Sequence, residues 1–414
     1  MRLARAAALS AAAVLAAATL AGAKTSGTPT GFVVRYPSAD AASWQTLVGV
    51  MSNPAVSTIV FEKGTHAFTA GQPLLVLKRN DLTICGATGD PEDVVIQSAA
   101  RNAFQIEQAN GTTIRGLTIR SNFVPGAGQS GGIGILVNAV PGSTAEGFAD
   151  DTAVSHCDFE AYIGVQASVR AKNLSVSDCR FTCTGITPGS PSGGVGMLWE
   201  DGPGLFVTRC RFQSGEGVSA IAGLFVRGAQ TPNSAGDRAR QLLITNNTVK
   251  GDFTAGMDLA DVVDVVVRQN KITFPDTGAG LARGRVGIVV RRAAATQVTE
   301  QYQVTKNVVR KAHYGIWFAS VGDGEATKND LRGCGSPEID GTTSAAFGDF
   351  GGAVRANLLA GICKTVFWGN DFRNLHSPIT EPAIVLFPAD SECDTATPAD
   401  KLDRGRPHTS GDIP

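Results

Sequence analysis

A polar residue recurs at one slot of a repeated sequence phrase, and this repeat constrains the fold more than any other feature. An apolar residue precedes the slot by three positions in nearly every copy, and another follows it by two. The shortest steps between slots are 22 and 23 residues. A fixed period of this size indicates a solenoid, in which each repeat is one coil stacked on the next. The slot residues are Cys157, Cys179, Cys210, Asn247, Asn270, Asn307, Asn329 and Asn370.

A second phrase between the slots decides the type of solenoid. Glycine followed by alternating apolar residues recurs there, as in Gly134-Ile135-Leu136-Val137. Strand-forming residues dominate the period, and no ten-residue stretch within it carries a helical pattern. Each coil is therefore predicted to contain two strands and a short third strand after the slot.

Three strands in a coil of about 22 residues resemble the right-handed parallel β-helix of the pectate-lyase-like superfamily, an all-β fold. The resemblance covers roughly residues 55–390, or about ten coils. Stacked coils lie about 4.8 Å apart, so Asn side chains in the slot can hydrogen-bond along the stack. Without such partners each buried amide group would cost about 1 to 3 kcal/mol. Proteins of this superfamily bind extended, usually acidic, polysaccharides, and the resemblance implies a polysaccharide partner here.

The first 23 residues are predicted to form a signal peptide. Arg2 and Arg5 provide a basic start, residues 6–20 are almost all apolar, and Ala21-Gly22-Ala23 fits a cleavage site. A transmembrane anchor is the alternative, although the apolar run is short and rich in alanine. We therefore expect a secreted or periplasmic protein without membrane contact after cleavage.

Residues 24–54 are predicted to contain a short helix that caps the solenoid. Its apolar residues are spaced at i, i+3, i+4 and i+7, and Asn53-Pro54 ends it. A terminal coil would otherwise expose its apolar cross-section. The β-helix domain then spans residues 55–390, and residues 391–414 form a polar tail. We expect a monomer. The predicted helix stripe comprises Trp44, Leu47, Val48 and Met51.

The charge balance argues against a nucleic-acid partner. The chain has 36 basic and 37 acidic residues, and loss of Arg2 and Arg5 would make the balance more acidic. Nucleic-acid binding would need a basic patch.

The eight cysteines allow two interpretations. An exported chain permits disulfides, and neighbouring slots lie within disulfide reach. Three consecutive slot cysteines cannot all pair among themselves, so we favour a stack of reduced, buried thiols. One disulfide could form among Cys334, Cys363 and Cys393. No Cys-x-x-Cys pair indicates a metal site.

The candidate functional residues lie on the outward face of the glycine phrase, where the residues two and four after the glycine point outward. Several loops next to this strand are longer than a 22-residue coil requires, and loops on both sides of the strand would form the walls of a groove. The long loops are residues 184–195, 275–286 and 333–351 before the strand, and 138–151, 228–240 and 291–300 after it. The catalytic candidates are Glu200, Asp258, Arg227 and Arg291, and the substrate-binding candidates are Trp317, Tyr314, His313 and Gln166.

β-Elimination or epimerisation of a uronate is the leading chemistry for these residues. Such a reaction needs cations that neutralise the carboxylate and a base that takes the C5 proton. Arg227 and Arg291 can be the cations, and His313, Tyr314 or an arginine the base. Glycoside hydrolysis is weaker, because Glu200 and Asp258 sit two coils apart, about 10 Å, whereas the carboxyl pair of a hydrolase is about 5 to 9.5 Å apart. It would need Asp201 or an acid from a loop to take part.

The sequence departs from the active-site signatures of known β-helix enzymes. It contains no Gly-His-Gly, no Asp-Asp pair on the outer strand and no Asp-Pro-His-Asp of the alginate epimerases. A non-catalytic carbohydrate-binding adhesin or cell-surface structural solenoid is therefore the alternative function. In that case Glu200 and Asp201 only form a turn, the arginines are solvated surface charges, and Trp317 is covered by a loop. We expect no cofactor; Glu200, Asp201 and Asp258 could supply oxygens to Ca²⁺, but their spacing matches no calcium motif.

Overall fold

The structure is a computed structural model that describes most of the predicted β-helix domain. The described residues are 32–36, 43–69, 71, 73–77, 79–126, 129, 131–138, 149–168, 171–187, 190–200, 202–228, 239–275, 285–293, 299–312, 314–332, 334, 357–368 and 384–386. The predicted signal peptide, the polar tail, His313, Asp201, Asn370 and Cys393 lie outside them. No helix among the described residues is long and apolar enough to cross a membrane.

The molecule is built from three series of parallel strands, and each coil contributes one strand to each series. We name the series that contains the glycine phrase sheet 1, the next series along the chain sheet 2 and the last sheet 3. This arrangement confirms the predicted right-handed, three-strand-per-coil parallel β-helix. The count of about ten coils stays a prediction.

Sheet 1 contains the glycine phrases. Its strands are Leu74–Leu77, Asn102–Glu107, Ile133–Asn138, Ile163–Ser168, Val195–Glu200, Ala220–Arg227, Phe253–Ala260, Val286–Arg291, the first parts of Tyr314–Thr327 and Asn357–Trp368, and Ile384–Leu386.

Sheet 2 precedes the slot in each coil. Its strands are Phe32–Tyr36, Val56–Phe61, Thr83–Gly86, Thr113–Arg115, Ala153–Ser155, Leu174–Ser177, Pro203–Thr208, Ala239–Thr245, Val262–Arg268, Glu300–Thr305 and the second parts of Tyr314–Thr327 and Asn357–Trp368.

Sheet 3 follows the slot. Its strands are Gly64–Phe68, Val94–Ser98, Thr118–Ser121, Asp158–Ala161, Arg180–Cys183, Arg211–Ser214, Thr248–Lys250, Lys271–Thr273 and Val308–Arg310. All three series enclose one continuous apolar core.

The four described slot asparagines form the predicted ladder. Each Nδ2 donates to a carbonyl oxygen of the sheet 2 strand one coil earlier, at 2.8 to 3.0 Å. Asn247, Asn270 and Asn307 also donate through Nδ2 to Oδ1 of the next asparagine at 3.0 Å. The same Oδ1 accepts the backbone N–H of the preceding slot. Buried amides therefore satisfy one another and hold the coils in register.

The three slot cysteines are buried, free thiols, which confirms the preferred interpretation. Beside them, Phe159, Phe181 and Phe212 point inward from consecutive sheet 3 strands, and their rings stack with centroids 4.8 Å apart. Cys334 is also a free, buried thiol, so it contributes to no disulfide at the C-terminal end. The side chain of Cys363 is not described.

The residue before each regular slot adopts a left-handed backbone conformation. The φ values lie between 51° and 58° for His156, Asp178, Arg209, Asn246, Gln269, Lys306 and Lys328. This conformation is unfavourable for most side chains outside Gly, Asn and Asp. The turn geometry is therefore imposed by stacking of the coils more than by local preference.

The predicted N-terminal helix is present at Ser43–Ser52, with Leu47 and Met51 fully buried. It contacts Leu74–Leu77, the first described strand of sheet 1, although its capping role stays a prediction. Before it, strand Phe32–Tyr36 pairs in parallel with Val56–Phe61, an element that the sequence did not predict. A short 3-10 helix, Pro91–Asp93, interrupts the turn before the second sheet 3 strand.

Candidate functional site

The outward face of sheet 1 brings the candidate residues onto four consecutive strands. Glu200 is paired in register with Arg227, Arg227 with Ala260, and Ala260 with Arg291. Asp258 lies on the same strand as Ala260, two residues earlier. Carboxylates and guanidinium groups thus alternate in sign from one strand to the next, in the order Glu200, Arg227, Asp258, Arg291.

Glu200 is at the centre of the first polar cluster. Its Oε1 accepts hydrogen bonds from Arg227, from Nε at 2.8 Å and from Nη2. Its Oε2 accepts one from Gln166 Nε2 at 3.2 Å. The Arg227 side chain is 37% exposed and that of Glu200 16%, so Arg227 presents its remaining donors toward solvent.

The second pair is more deeply buried. Arg291 donates from Nε to Oδ1 and from Nη2 to Oδ2 of Asp258, both at 3.0 Å, in a bidentate pair. The Asp258 side chain is 9% exposed. Burial raises the pKa of Asp258, and the hydrogen bonds from Arg291 only partly oppose this. Burial lowers the pKa of Arg291, but Asp258 more than compensates, so the net shift is upward.

An apolar cluster, separate from the core, lies on the same strands as these pairs. It contains Val195, Ala222, Ala255, Val286, Val289, Tyr314 and Trp317, with Leu198 and Phe225 partly buried against it. Trp317 is 2% exposed and Tyr314 7%, and their ring centroids are 6.4 Å apart. The structure thus places these two aromatic residues together, but it does not leave them open as a stacking surface for a sugar ring.

One buried ion pair at the edge of this face was missed by sequence analysis. Arg285 Nη2 donates to Asp252 Oδ1 at 2.7 Å, and the Arg285 side chain is 6% exposed. Both residues directly precede sheet 1 strands, Arg285 before Val286 and Asp252 before Phe253, and this shared position was the available signal.

The described residues contain no group of three His, Cys, Asp or Glu side chains that could hold a metal ion. Among the described residues of this face, Glu200 and Asp258 lie two strands apart and each is bound to an arginine, so these two do not form the carboxyl pair of a hydrolase. Asp201 lies outside the described residues.

Comparisons with known proteins concern mainly the fold. A family model described as a right-handed beta helix region matches residues 102–295. The Dettilon tailspike protein has 13% sequence identity and a TM-score of 0.53, over 86% of this chain and 64% of that one. An alginate lyase from Paenibacillus sp. str. FPU-7 has 13% identity and a TM-score of 0.47, over 72% and 94% of the two chains.

The A-module of the Azotobacter vinelandii mannuronan C-5 epimerase AlgE4 also has 13% identity and a TM-score of 0.47, over 84% of this chain and 96% of that one. A search of curated proteins finds no match to the sequence. At these identities the similarity concerns the fold, and the function must be inferred from the residues of this chain.

Proposed function

We propose that this chain, a right-handed parallel β-helix similar to the pectate-lyase-like superfamily, is an exported protein that binds an extended acidic polysaccharide along the outer face of sheet 1. The observation that carries the proposal is the alternation of Glu200, Arg227, Asp258 and Arg291 over four consecutive strands. A polymer that runs along the helix axis meets a new charged side chain about every 4.8 Å. Export is supported by the signal-peptide pattern in residues 1–23.

Arg227 is the residue best suited to bind a substrate carboxylate. Two of its five N–H groups point to Glu200, and the others are available for a bidentate or single contact with a uronate. The apolar surface of Phe225 and Leu198, next to it, is only partly buried. Carbohydrate rings can pack on such surface while their hydroxyl groups bind the neighbouring polar side chains.

β-Elimination or C5 epimerisation is the chemistry that we assign to this face. In both reactions a base removes the C5 proton while a cation stabilises the charge that develops on the carboxylate. Asp258, whose pKa is raised by burial, is a stronger base than an ordinary carboxylate, and Arg227 is the cation. In elimination the bond from C4 to the leaving oxygen then breaks, whereas in epimerisation a proton returns from the opposite side.

A non-catalytic binding or structural solenoid is the second candidate. The burial of Trp317 and Tyr314 supports it, because these residues pack as part of the fold. The bidentate pairing of Asp258 with Arg291 supports it as well, because a base already held by two hydrogen bonds is less available to a substrate.

Incubation with a panel of uronic-acid polymers separates these candidates. A lyase yields an unsaturated product that absorbs in the ultraviolet, and an epimerase changes the NMR spectrum of the polymer without that absorbance. Asp258→Asn should abolish either activity. The matched control is Glu160→Gln, which alters an exposed pair with Arg120 on sheet 3 and should leave activity unchanged.

Absence of turnover on every polymer, together with retarded migration in affinity electrophoresis, would favour the binding protein over the enzyme. In that case Arg227→Gln should restore normal migration. Absence of both turnover and retardation would overturn the polysaccharide proposal.

A further inference from the structure

A second candidate site lies on a different part of the molecule, at the outer edge of sheet 2 in the N-terminal coils. It is a cleft of about 420 Å³ whose lining includes Arg35, Cys85, Arg115 and His156. A volume of this size is within the range of about 300 to 1,000 Å³ that is usual for small-molecule sites. The described residues that line it include no carboxylate.

The strand register explains how the cleft forms. Arg35 pairs with Val60, Val60 with Cys85, and Cys85 with Arg115, so these four residues make one outward column across four strands. The two arginines are thus three strand spacings apart, about 14 Å between backbones. The shorter side chains of Val60 and Cys85 lie between them. The arginines therefore flank the cleft, and the short side chains form its floor.

Glycines keep one wall of the cleft free of side chains. Gly86, Gly89 and Gly116 all line it. A Cβ atom at Gly86 would collide with the carbonyl oxygen of Gly116, and Gly89 has a φ of +78° that side chains rarely adopt. In later coils the equivalent turn positions carry side chains, such as Asp178 and Arg209.

Of the two arginines in the cleft, Arg35 is paired with a carboxylate, and Arg115 is not paired with one within the described residues. Arg115 and His156 are exposed, and their side chains form no hydrogen bond or ion pair within the described structure. Arg35 contacts Glu62 through Nη1 at 2.7 Å, which leaves its other donors available. Asp178 interacts electrostatically with His156, but its two oxygens are already bound by Arg209 at 2.7 Å each.

The same column carries no cation in the next four coils, and Arg268 follows in the fifth. The positions equivalent to Arg115 are Ser155, Ser177, Thr208 and Thr245 in the following coils. Arg35 and Arg115 are therefore separated from the next cation of this column by four uncharged positions. An anion held there would receive charge-assisted hydrogen bonds from two guanidinium groups.

We infer that this cleft binds a sugar-sized oxyanion, namely a small molecule with a carboxylate, sulfate or phosphate group, between Arg35 and Arg115 with His156 as a further donor. The site is separate from the outer face of sheet 1. It does not depend on the function proposed for that face.

The test is calorimetric titration of the full-length protein at low ionic strength with galacturonate, glucose 6-phosphate and sulfate, and with galactose as the neutral control. We expect at least one of the anions to bind, galactose not to bind, and added salt to weaken the interaction. Arg115→Gln should weaken binding about tenfold or more, the effect of losing a charge-assisted hydrogen bond.

Two further variants make the result decisive. Thr88→Glu places a carboxylate in the exposed turn that lines the cleft, and it should abolish anion binding even if Arg115→Gln fails to fold. Arg211→Gln removes an exposed arginine from sheet 3 that has no described partner, and it should bind like the wild type.

The inference is overturned if none of the anions binds, if Thr88→Glu retains wild-type affinity, or if Arg211→Gln loses as much affinity as Arg115→Gln. The last result would indicate a general charge effect. Turnover and polymer binding should persist in Arg115→Gln, so a failure of this inference is distinguishable from a failure of the function proposed for sheet 1.

Discussion

The N-terminal and C-terminal parts of the slot ladder meet the same structural requirement with different chemistry. In the thiol part, the sulfur atoms of Cys157, Cys179 and Cys210 lie 3.6 to 3.8 Å from carbonyl oxygens of the preceding coil and 3.2 to 3.4 Å from carbonyl oxygens two residues earlier in their own coil. A thiol is a weak donor and has one hydrogen to share between them. In the amide part, Asn side chains reach the equivalent oxygens at 2.8 to 3.0 Å. The thiol part therefore gains less from hydrogen bonds.

The residues that follow the slot compensate for this difference. Behind the thiols, Phe159, Phe181 and Phe212 stack face to face, whereas Val249, Ile272 and Val309 occupy the same positions behind the amides. The thiol part is thus stabilised mainly by aromatic packing and the amide part mainly by polar bonds. Either aromatic packing or amide hydrogen bonds can therefore hold the coils in register. The predictions below test whether the two parts of the ladder differ in this way.

The largest expected effect is that of Phe181→Ala, in the centre of the aromatic stack. Removal of a buried ring typically destabilises a protein by about 3 to 5 kcal/mol, and here two ring contacts are lost, each worth about 0.5 to 1.5 kcal/mol beyond area burial. Urea unfolding measures the change. Ile272→Ala is the matched variant in the amide part and should lose less. An equal or larger loss in Ile272→Ala would contradict the division.

Asn270→Ala should cost about 3 kcal/mol. The substitution leaves the Asn247 backbone N–H and the Ile244 carbonyl without their buried partners, and each such group costs about 1 to 3 kcal/mol. Cys179→Ala, the matched change in the thiol part, removes only weak S–H contacts and should cost about 1 kcal/mol. Similar losses of unfolding free energy in both variants would show that the amide bonds contribute no more than the thiols.

Substitution of asparagine for a slot cysteine should change the stability less, and the effect should depend on whether the next slot is an asparagine. An asparagine in Cys210→Asn could donate to Val176 O and to Asn247 Oδ1, and it could accept the Cys179 N–H. This variant should be as stable as the wild type or up to about 1 kcal/mol more stable.

In Cys157→Asn the next slot is Cys179, which offers no amide oxygen, so one buried N–H lacks an acceptor and the loss should be about 1 to 2 kcal/mol. Thermal unfolding curves of the two variants, Cys210→Asn and Cys157→Asn, show which of them is more stable. Greater stability of Cys157→Asn would mean that continuity of the ladder is unimportant.

The ladder could be predicted because its slot, the preceding strand and the following strand keep constant spacing. The left-handed residue before the slot could not, since His156, Arg209 and Lys306 have no local preference for that conformation. The Glu200–Arg227 pair was predictable in principle, because opposite charges follow the glycine at the same distance in neighbouring copies. The burial of Trp317 was not, because an outward position on a strand does not reveal what covers it. The cleft with Arg35 and Arg115 could not be predicted either, because both residues precede the first regular slot, in coils whose sequences do not follow the repeat.

The smallest effect concerns one acid beside a slot in each part, Asp330 in the amide part and Asp178 in the thiol part. Although burial alone would raise it, hydrogen bonds from Arg332 and Arg310 hold the pKa of Asp330, beside slot Asn329, well below its usual value. A lowered pKa in the folded state stabilises the protein above the unfolded value of about 4, and this contribution disappears as the pH falls through the folded value.

Asp330→Asn should therefore lose about 1 kcal/mol of unfolding free energy at neutral pH, and its difference from the wild type should shrink as the solution is acidified. Asp178, beside slot Cys179, has a pKa lowered mainly by Arg209, but this arginine is 59% exposed. Solvent screens such a pair, so Asp178→Asn should lose less. A loss from Asp330→Asn that is the same at acid and neutral pH would show that the side chain acts through packing and not through its charge.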